Sequence, residues 1–406
     1  MHVVVAGGGI FGQVIAWRLA VRGARVTVCE PVGPGAHGTG SGDRTRIVRA
    51  LYDEPHFAEA GHRGLRLWSE WCAQLSARLI EPIGVLYLVR KGGPGADAFA
   101  TWVERGVTHL RALGAAFEDI PPAAVPTRWP AMRSSDLRRA VLEPAAGYAR
   151  AALATRTIAR AAAATGLVVH TPARVTSIET TSSRVTSVRT VAPDGTAHTL
   201  AADAVVIAAG FAGVALLEPL CGRLPIERLP HWVSYWDVPY PGGAALHETQ
   251  LPCWADLGSE LYGFPDDGES GFKAAWHSPR PPSQATSESA SPQGASPKSV
   301  SLQGVARPET PTESEIEALR ERVAARFPPL AEGRCRGIYE CAYDSTADET
   351  FQIGPVPPIA GLWFAGGLSG HGFKHAPSLG ESLAASVVNG QPEPDLAPYT
   401  LRIPRS

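Results

Sequence analysis

The sequence predicts an α/β protein: a Rossmann-type dinucleotide-binding domain joined to a second domain built on a mixed β-sheet. Three observations carry this prediction. The first 30 residues run strand, glycine turn, helix, strand, which is one βαβ unit. Two later apolar runs, "DAVVIAAG" (203–210) and "LWFAGG" (362–367), are short and end on glycine, as buried parallel strands do. The rest alternates amphipathic helices with strand-like stretches, and its aromatics cluster at 225–277.

Residues 2–6 (HVVVA) are β-branched and precede three glycines, so they read as a buried strand. "IFGQVIAWRLAVRG" places apolar residues at helical spacing with Gly23 as its stop, and "ARVTVCE" reads as the second strand. "PHFAEAGHRGLRLWSEWCAQLS" and "DAFATWVERGVTHLRALG" read as helices on either side of the strand "PIGVLYLVRK". "ALATRTIARAAAATG" is a helix feeding "LVVH" and "RVTSIETT". "SRVTSVRTVAPDGTAHTL" alternates as a hairpin turning at Asp194-Gly195. Residues 278–312 hold many Ser, Pro, Gln and Gly and almost no large apolar groups. Burial cannot offset the ordering entropy of such a stretch, so a mobile surface loop is expected there. It ends at a helix start, "TESEIEALRERVAARF", and "LWFAGG" leads through a glycine-rich loop to a closing helix.

The chain has 406 residues, 44% hydrophobic and 19% charged, enough to bury a large core in two or three lobes. A formal net charge of -2 leaves no basic excess for nucleic acid or an anionic membrane. The six cysteines are scattered and none forms a CxxC metal or redox pair, so no metal site is expected. Met1 runs straight into "HVVVAGGG" without a basic, apolar leader, and no window approaches a membrane span. The cytoplasm is the expected compartment.

Gly7-Gly8-Gly9-Ile10-Phe11-Gly12 fits G-x-G-x-x-G in the right context, after a strand, before a helix, with Glu30 ending the next strand. Gly7 permits the tight turn, Gly9 lets backbone approach a pyrophosphate, and Gly12 lets the helix pack on the strand. Ile10 and Phe11 open the helix whose free N–H groups face the phosphates. Glu30 would accept from a ribose hydroxyl, which disfavours a 2′-phosphate. NAD and FAD fit this fingerprint equally well.

Four later segments are "TGSGDRTRIVRALY" (39–52), "LYGFPDDGESGFKAAWH" (261–277), "RGIYECAYDSTADETFQIGP" (336–355) and "FAGGLSGHGFKHAPSLGE" (364–381). Together, in order and spacing, they resemble the monomeric sarcosine oxidase family of D-amino-acid-oxidase-like flavoproteins. The resemblance implies FAD and oxidation of the C–N bond of a secondary or cyclic amino acid. Electrons would pass to O2 to give hydrogen peroxide. Cys341, which by composition alone is a buried thiol or a stray one, falls on the cysteine that tethers FAD through the flavin 8α position. Arg49 matches the carboxylate-binding arginine and Lys374 its lysine partner. Arg46 matches an arginine near the flavin ring, and Lys273 the lysine that reaches flavin N5 through water. His277 matches an active-site histidine and Tyr262 an aromatic pocket wall. Thr45, Val175, Gly210, Gly370, His371, Gly372 and Phe373 fall on further flavin-binding positions.

Departures cluster around the substrate. "GDRTR" carries one residue more than the family's Gly-Asp-Thr-Arg, through Arg44, and Ser41 and Gly42 stand where a histidine can precede it. Cys253 falls where a methionine lines the sarcosine pocket, and the 278–312 connection is longer than the family's. The expected division is a discontinuous FAD-binding domain (1–80, 145–215, 330–395) and a substrate domain (81–144, 216–329). The expected activity is oxidation of an N-methyl or cyclic imino acid by FAD and O2, with a desaturase-like oxidase of specialised metabolism or an NAD-dependent dehydrogenase as alternatives. The resemblance favours a monomer.

Overall fold

The computed structural model describes residues 1–276 and 311–403. His277 and nearly all of the expected 278–312 loop lie outside the described residues.

The strand His2–Ala6 sits inside a six-stranded sheet of order Gln352–Pro355, Leu362–Gly366, Ala204–Ile207, His2–Ala6, Arg25–Cys29, Val168–Thr171. Every pair is parallel except the first. Val3, Val4 and Val5 are all fully buried because both faces are covered. Val3 and Val5 face a core shared with the helices Ile10–Val21, Ala151–Ala163 and Ala376–Asn389. Val4 and Ala6 face the helix Phe211–Cys221 and residues Val175 and Val188 of a three-stranded sheet. That side sheet is a meander of Arg174–Thr181, Arg184–Val191 and Ala197–Ala201. The turn at Asp194-Gly195 joins its last two strands, with Gly195 at φ +86° and the Asp194 carboxylate accepting from Thr196 N–H at 2.9 Å.

The helix Ile10–Val21 buries all but two of its residues, so it carries no solvent face. Its one buried polar side chain is satisfied: Gln13 donates to the Gly8 carbonyl at 3.2 Å and accepts from His170 Nε2 at 2.8 Å. Gly23 follows the helix end at φ +83°, the left-handed position that glycine occupies cheaply.

The second sheet has eight strands in the order Arg334–Glu340, Trp232–Asp237, Phe272–Trp276, Leu261–Phe264, Cys253–Asp256, Val85–Arg90, Leu137–Glu143, Glu118–Ile120. Only Cys253–Asp256 and Val85–Arg90 pair in parallel. One face packs Trp236, Trp254, Phe272 and Trp276 against the helix Glu313–Arg326 and Phe327. That helix starts where the sequence suggested, on a capping box between Thr312 and Glu315. The other face packs Tyr87, Val89, Ala255 and Phe264 against the helix Ala96–Ala112 and Tyr148.

One boundary expectation needs correcting. Arg334–Glu340 was expected within the FAD-binding domain, yet it pairs with Trp232–Asp237 at the edge of the eight-stranded sheet. Its burial alternates between exposed and half-buried residues, the pattern of an edge strand and not of a doubly covered one. Only from Gln352 does the chain return to the six-stranded sheet. A small sheet of Thr45–Val48, Gly147–Arg150 and Ile80–Glu81 stands beside these two.

Candidate active site

The fingerprint residues shape a groove at the carboxyl ends of the parallel strands. Gly7 has φ +106°, and a Cβ there would lie 2.5 Å from the Ala208 carbonyl oxygen. A Cβ on Gly12 would lie 2.0 Å from the Gly7 carbonyl oxygen, so helix and turn touch backbone to backbone. Gly9 caps the helix with no side chain of its own; Ser41 Oγ accepts from Ile10 N–H at 2.9 Å, and a Cβ on Gly9 would meet only that Oγ, at 3.2 Å. Backbone can therefore approach a pyrophosphate at Gly9, beside the Ser41 hydroxyl that holds the first helical N–H, and the turn suits the phosphates of a dinucleotide. Glu30 accepts from Gly8 N–H at 2.8 Å and Val32 N–H at 3.0 Å, at the position of a ribose partner. Gly210 opens the next helix at φ +56°, and Val175 is buried in the core beside Cys29.

Farther along lies a cavity of about 350 Å³, walled by the eight-stranded sheet, by Thr45–Val48 and by the loop that follows Leu362–Gly366. Thr45, Arg46, Arg49, Tyr262, Lys273, Cys341, Gly370, His371, Phe373 and Lys374, all expected from the sequence, line it together. The strand register explains how Lys273 arrives there. Phe272, Ala274 and Trp276 face the core of the eight-stranded sheet, so Lys273 faces the other way, paired across to Tyr235 and Phe264. Its ammonium lies 4.7 Å from the Phe264 ring centroid and 5.4 Å from that of Tyr235.

Asp43 is the residue that organises this side of the cavity. Its Oδ2 accepts from Lys273 Nζ at 2.6 Å and also pairs with Arg46, while its Oδ1 accepts from the Tyr235 hydroxyl at 2.5 Å. Burial would raise the Asp43 carboxyl, but Lys273 and Arg46 hold it well below the usual carboxylate range. Burial pulls the Lys273 ammonium below its ordinary value, and Asp43 opposes that pull. Lys273 also donates to the Thr45 carbonyl at 3.2 Å. Sequence reading quoted Asp43 within "GDRTR" without giving it a role. No local signal marks it, because its partner Lys273 lies 230 positions away in the chain.

Arg49 and Lys374 stand differently. The Arg49 guanidinium stacks 3.7 Å from the Tyr52 ring centroid and 4.9 Å from that of Trp102, and donates to the Leu51 carbonyl. Lys374 Nζ donates to the His371 carbonyl at 2.8 Å. Among the described residues neither has a carboxylate at ion-pair distance. Burial holds Lys374 well below its ordinary value, with Arg49 and Arg46 adding to that. The loop carrying Arg49 is fixed by the buried Glu143, whose carboxylate accepts from Ala50 N–H at 2.7 Å, Leu51 N–H at 3.1 Å and the Tyr87 hydroxyl at 3.1 Å.

Cys341 lies where this cavity meets a second one of about 640 Å³, and its Sγ is 3.4 Å from an Arg46 donor. Tyr262 and Tyr343 touch through their hydroxyls at 3.1 Å, and burial pushes Tyr262 up to about 12. Gly370, at φ +73°, lets the loop pass the Tyr343 ring, where a Cβ would come within 2.2 Å. Cys253 is fully buried in the core with Val85 and Phe264 and does not line the cavity. Gly7, Gly9, Gly12, Glu30, Val175 and Gly210 lie outside the cavity lining as well.

A family model described as FAD dependent oxidoreductase matches residues 2–386. The chain is 25% identical to monomeric sarcosine oxidase of Bacillus sp. (strain B-0618), over 99% of this chain and 96% of that protein. It is 27% identical to N-methyl-L-tryptophan oxidase of Salmonella typhi, over 98% of each. Among solved structures, L-proline dehydrogenase from P. horikoshii superposes with a TM-score of 0.78 at 21% identity, covering 99% of each chain. Glycine oxidase from Geobacillus kaustophilus gives 0.74 at 21%, covering 100% of this chain and 99% of that one. These likenesses establish the fold, and the family match selects FAD over NAD for the groove.

Proposed function

Because the chain belongs to the FAD dependent oxidoreductase family, we propose that it oxidises a secondary amine bearing an α-carboxylate, with O2 as final electron acceptor and FAD tethered through Cys341. The substrate class is an N-methyl or cyclic imino acid. Two relatives are named for N-methyl amino acids, sarcosine and N-methyl-L-tryptophan. The observation that supports the reading most is that half-buried Arg49 and buried Lys374 line one cavity with Lys273 and Cys341.

When bound, FAD supplies a two-electron acceptor for a hydride equivalent from the C–H beside the amine nitrogen. The chain's own residues do the rest. The Arg49 fork matches both oxygens of a carboxylate, and Lys374 adds a point charge beside it. Tyr262, Phe264 and Trp102 offer aromatic walls that exclude water from the bound amine. Lys273, held by Asp43, disfavours a second cation nearby and so favours the neutral amine. Its fixed charge would stabilise negative charge developing on O2.

Acid precipitation of the purified protein tests the tether. Yellow colour staying in the pellet is expected of the wild type, and Cys341→Ala should release it to the supernatant. Colour released by the wild type would refute the tether. A peroxide assay across N-methyl and cyclic imino acids tests the chemistry. A parallel set of primary amino acids that outperforms both classes would overturn the substrate assignment.

A further inference from the structure

We propose that Tyr52 is a positioning residue for Arg49, held by a hydrogen-bond chain that runs from His375 through Tyr52 to His371. The proposal rests on the carboxylate-binding role given to Arg49 above. Tyr52 is buried, its ring lies against the Arg49 guanidinium, and its hydroxyl lies 3.1 Å from His371 Nδ1 and 3.2 Å from His375 Nε2.

The direction of the chain follows from one carbonyl. His371 Nε2 is 3.2 Å from the Glu349 carbonyl oxygen, which can only accept, so Nε2 carries the hydrogen. In neutral His371, Nδ1 is then an acceptor, and the Tyr52 hydroxyl must donate to it. The Tyr52 oxygen is left to accept from His375, which fixes the hydrogen of His375 on Nε2. His375 Nδ1 is buried and has no partner among the described residues. The deduced tautomer puts a lone pair there and avoids a buried, unpaired N–H, the rarer and costlier orphan. His375 is fully buried, and burial first, with Lys374 second, holds it well below its ordinary value, so it stays neutral as the chain requires.

Two hydrogen bonds at one end of the Tyr52 ring therefore fix the plane on which Arg49 stacks. His371 serves both cations at once: its imidazole takes the Tyr52 hydrogen and its carbonyl takes Lys374. Arg49 and Lys374 keep their mutual geometry because one residue holds each of them.

The test is calorimetric titration of the holoenzyme with 2-furoate and with its neutral analogue 2-furamide. The wild type should prefer furoate. Tyr52→Phe keeps the stacking face and loses both hydrogen bonds; furoate affinity should fall about fivefold or more, with furamide unchanged. His375→Leu should do the same, whereas His375→Gln, whose amide can still donate to the tyrosine, should restore the preference. A preference intact in both Tyr52→Phe and His375→Leu overturns the proposal alone, as does an equal loss of both ligands. A wild type that does not distinguish furoate from furamide instead overturns the carboxylate role of Arg49 beneath it.

Discussion

Replacing Asp43 by asparagine removes the carboxylate that, alone among the described residues, holds Lys273 and Arg46 together, and the cost can be worked from the geometry. The ion pair to Lys273 is 2.6 Å long, with the lysine side chain 3% and the aspartate 17% exposed. Removing one partner of a fully buried pair costs about 3–5 kcal/mol. The partial exposure of Asp43 and the oxygen that asparagine retains reduce the expectation to about 2–4 kcal/mol. Lys273→Met alone leaves Asp43 with Arg46 and Tyr235, so it should cost less, about 1–2 kcal/mol. The double variant should then fall short of the sum by about 1–3 kcal/mol. Urea denaturation at fixed FAD saturation measures all four corners. The pH dependence has a definite sign. Burial depresses Lys273 in the folded state, and asparagine removes the charge that opposes this. The folded protein then sheds a proton that the unfolded chain keeps, so the variant's stability rises with pH over that interval. The asparagine penalty should be largest near neutrality and shrink toward the ordinary lysine range. Additivity within about 0.5 kcal/mol, or a penalty flat in pH, would refute this account of Asp43.

Two glycines of one fingerprint should fail differently. Gly12→Ala forces a Cβ to 2.0 Å from backbone oxygen and should cost roughly 3 kcal/mol or more, seen as a fall in thermal midpoint. Gly9→Ala meets only Ser41 Oγ at 3.2 Å, so the fold should stay within about 0.5 kcal/mol while FAD retention on dialysis drops by about tenfold. Asp344 offers a pH signature, because burial lifts its carboxyl from 3.8 to about 6. A raised carboxyl stabilises the fold below its unfolded value and loses that contribution as pH rises through its folded value. The loss is roughly 2–3 kcal/mol, and Asp344→Asn should flatten that limb of the urea midpoint between acid and neutral pH.

The first sheet was legible because its strands are continuous apolar runs ending in glycine, a pattern that burial on both faces imposes on parallel strands. The edge strand Arg334–Glu340 was assigned to the wrong lobe for the complementary reason. A half-exposed strand has no continuous apolar run, and its partner lies about a hundred residues earlier in the chain. The cavity residues were legible through motif register more than through physics: nothing about Lys273 alone says that it is buried. What register could not supply was the partner set. Asp43, Tyr52, Glu143 and His375 act on other side chains or on backbone, and such residues reveal themselves only when strands from distant segments meet. Asp43 and Lys273 are 230 positions apart and Tyr52 and His375 are 323 apart, so no local pattern links them.

The four cations of the cavity fall into two groups by what holds them, and the difference bears on function. Arg46 and Lys273 share one carboxylate, so one of their two charges is compensated and their positions are fixed before any ligand arrives. Arg49 and Lys374 are held by an aromatic face and a backbone carbonyl. These partners stabilise a cation without neutralising it, by roughly a kcal/mol or two where a buried carboxylate would exceed that. Had Arg49 been paired with an acid, a substrate carboxylate would have to break that pair before using the fork, and the competing charge would cancel much of the attraction. A π face leaves the edges of the guanidinium free for two oxygens, because stacking uses the plane and hydrogen bonding uses the rim. Burial first, then the charges of Arg49 and Arg46, holds Lys374 well below its ordinary value, and among the described residues no carboxylate lies at ion-pair distance from it. A bound carboxylate would supply an anion and raise the lysine back toward its ordinary value, so on the proposed function substrate binding should take up protons from solution.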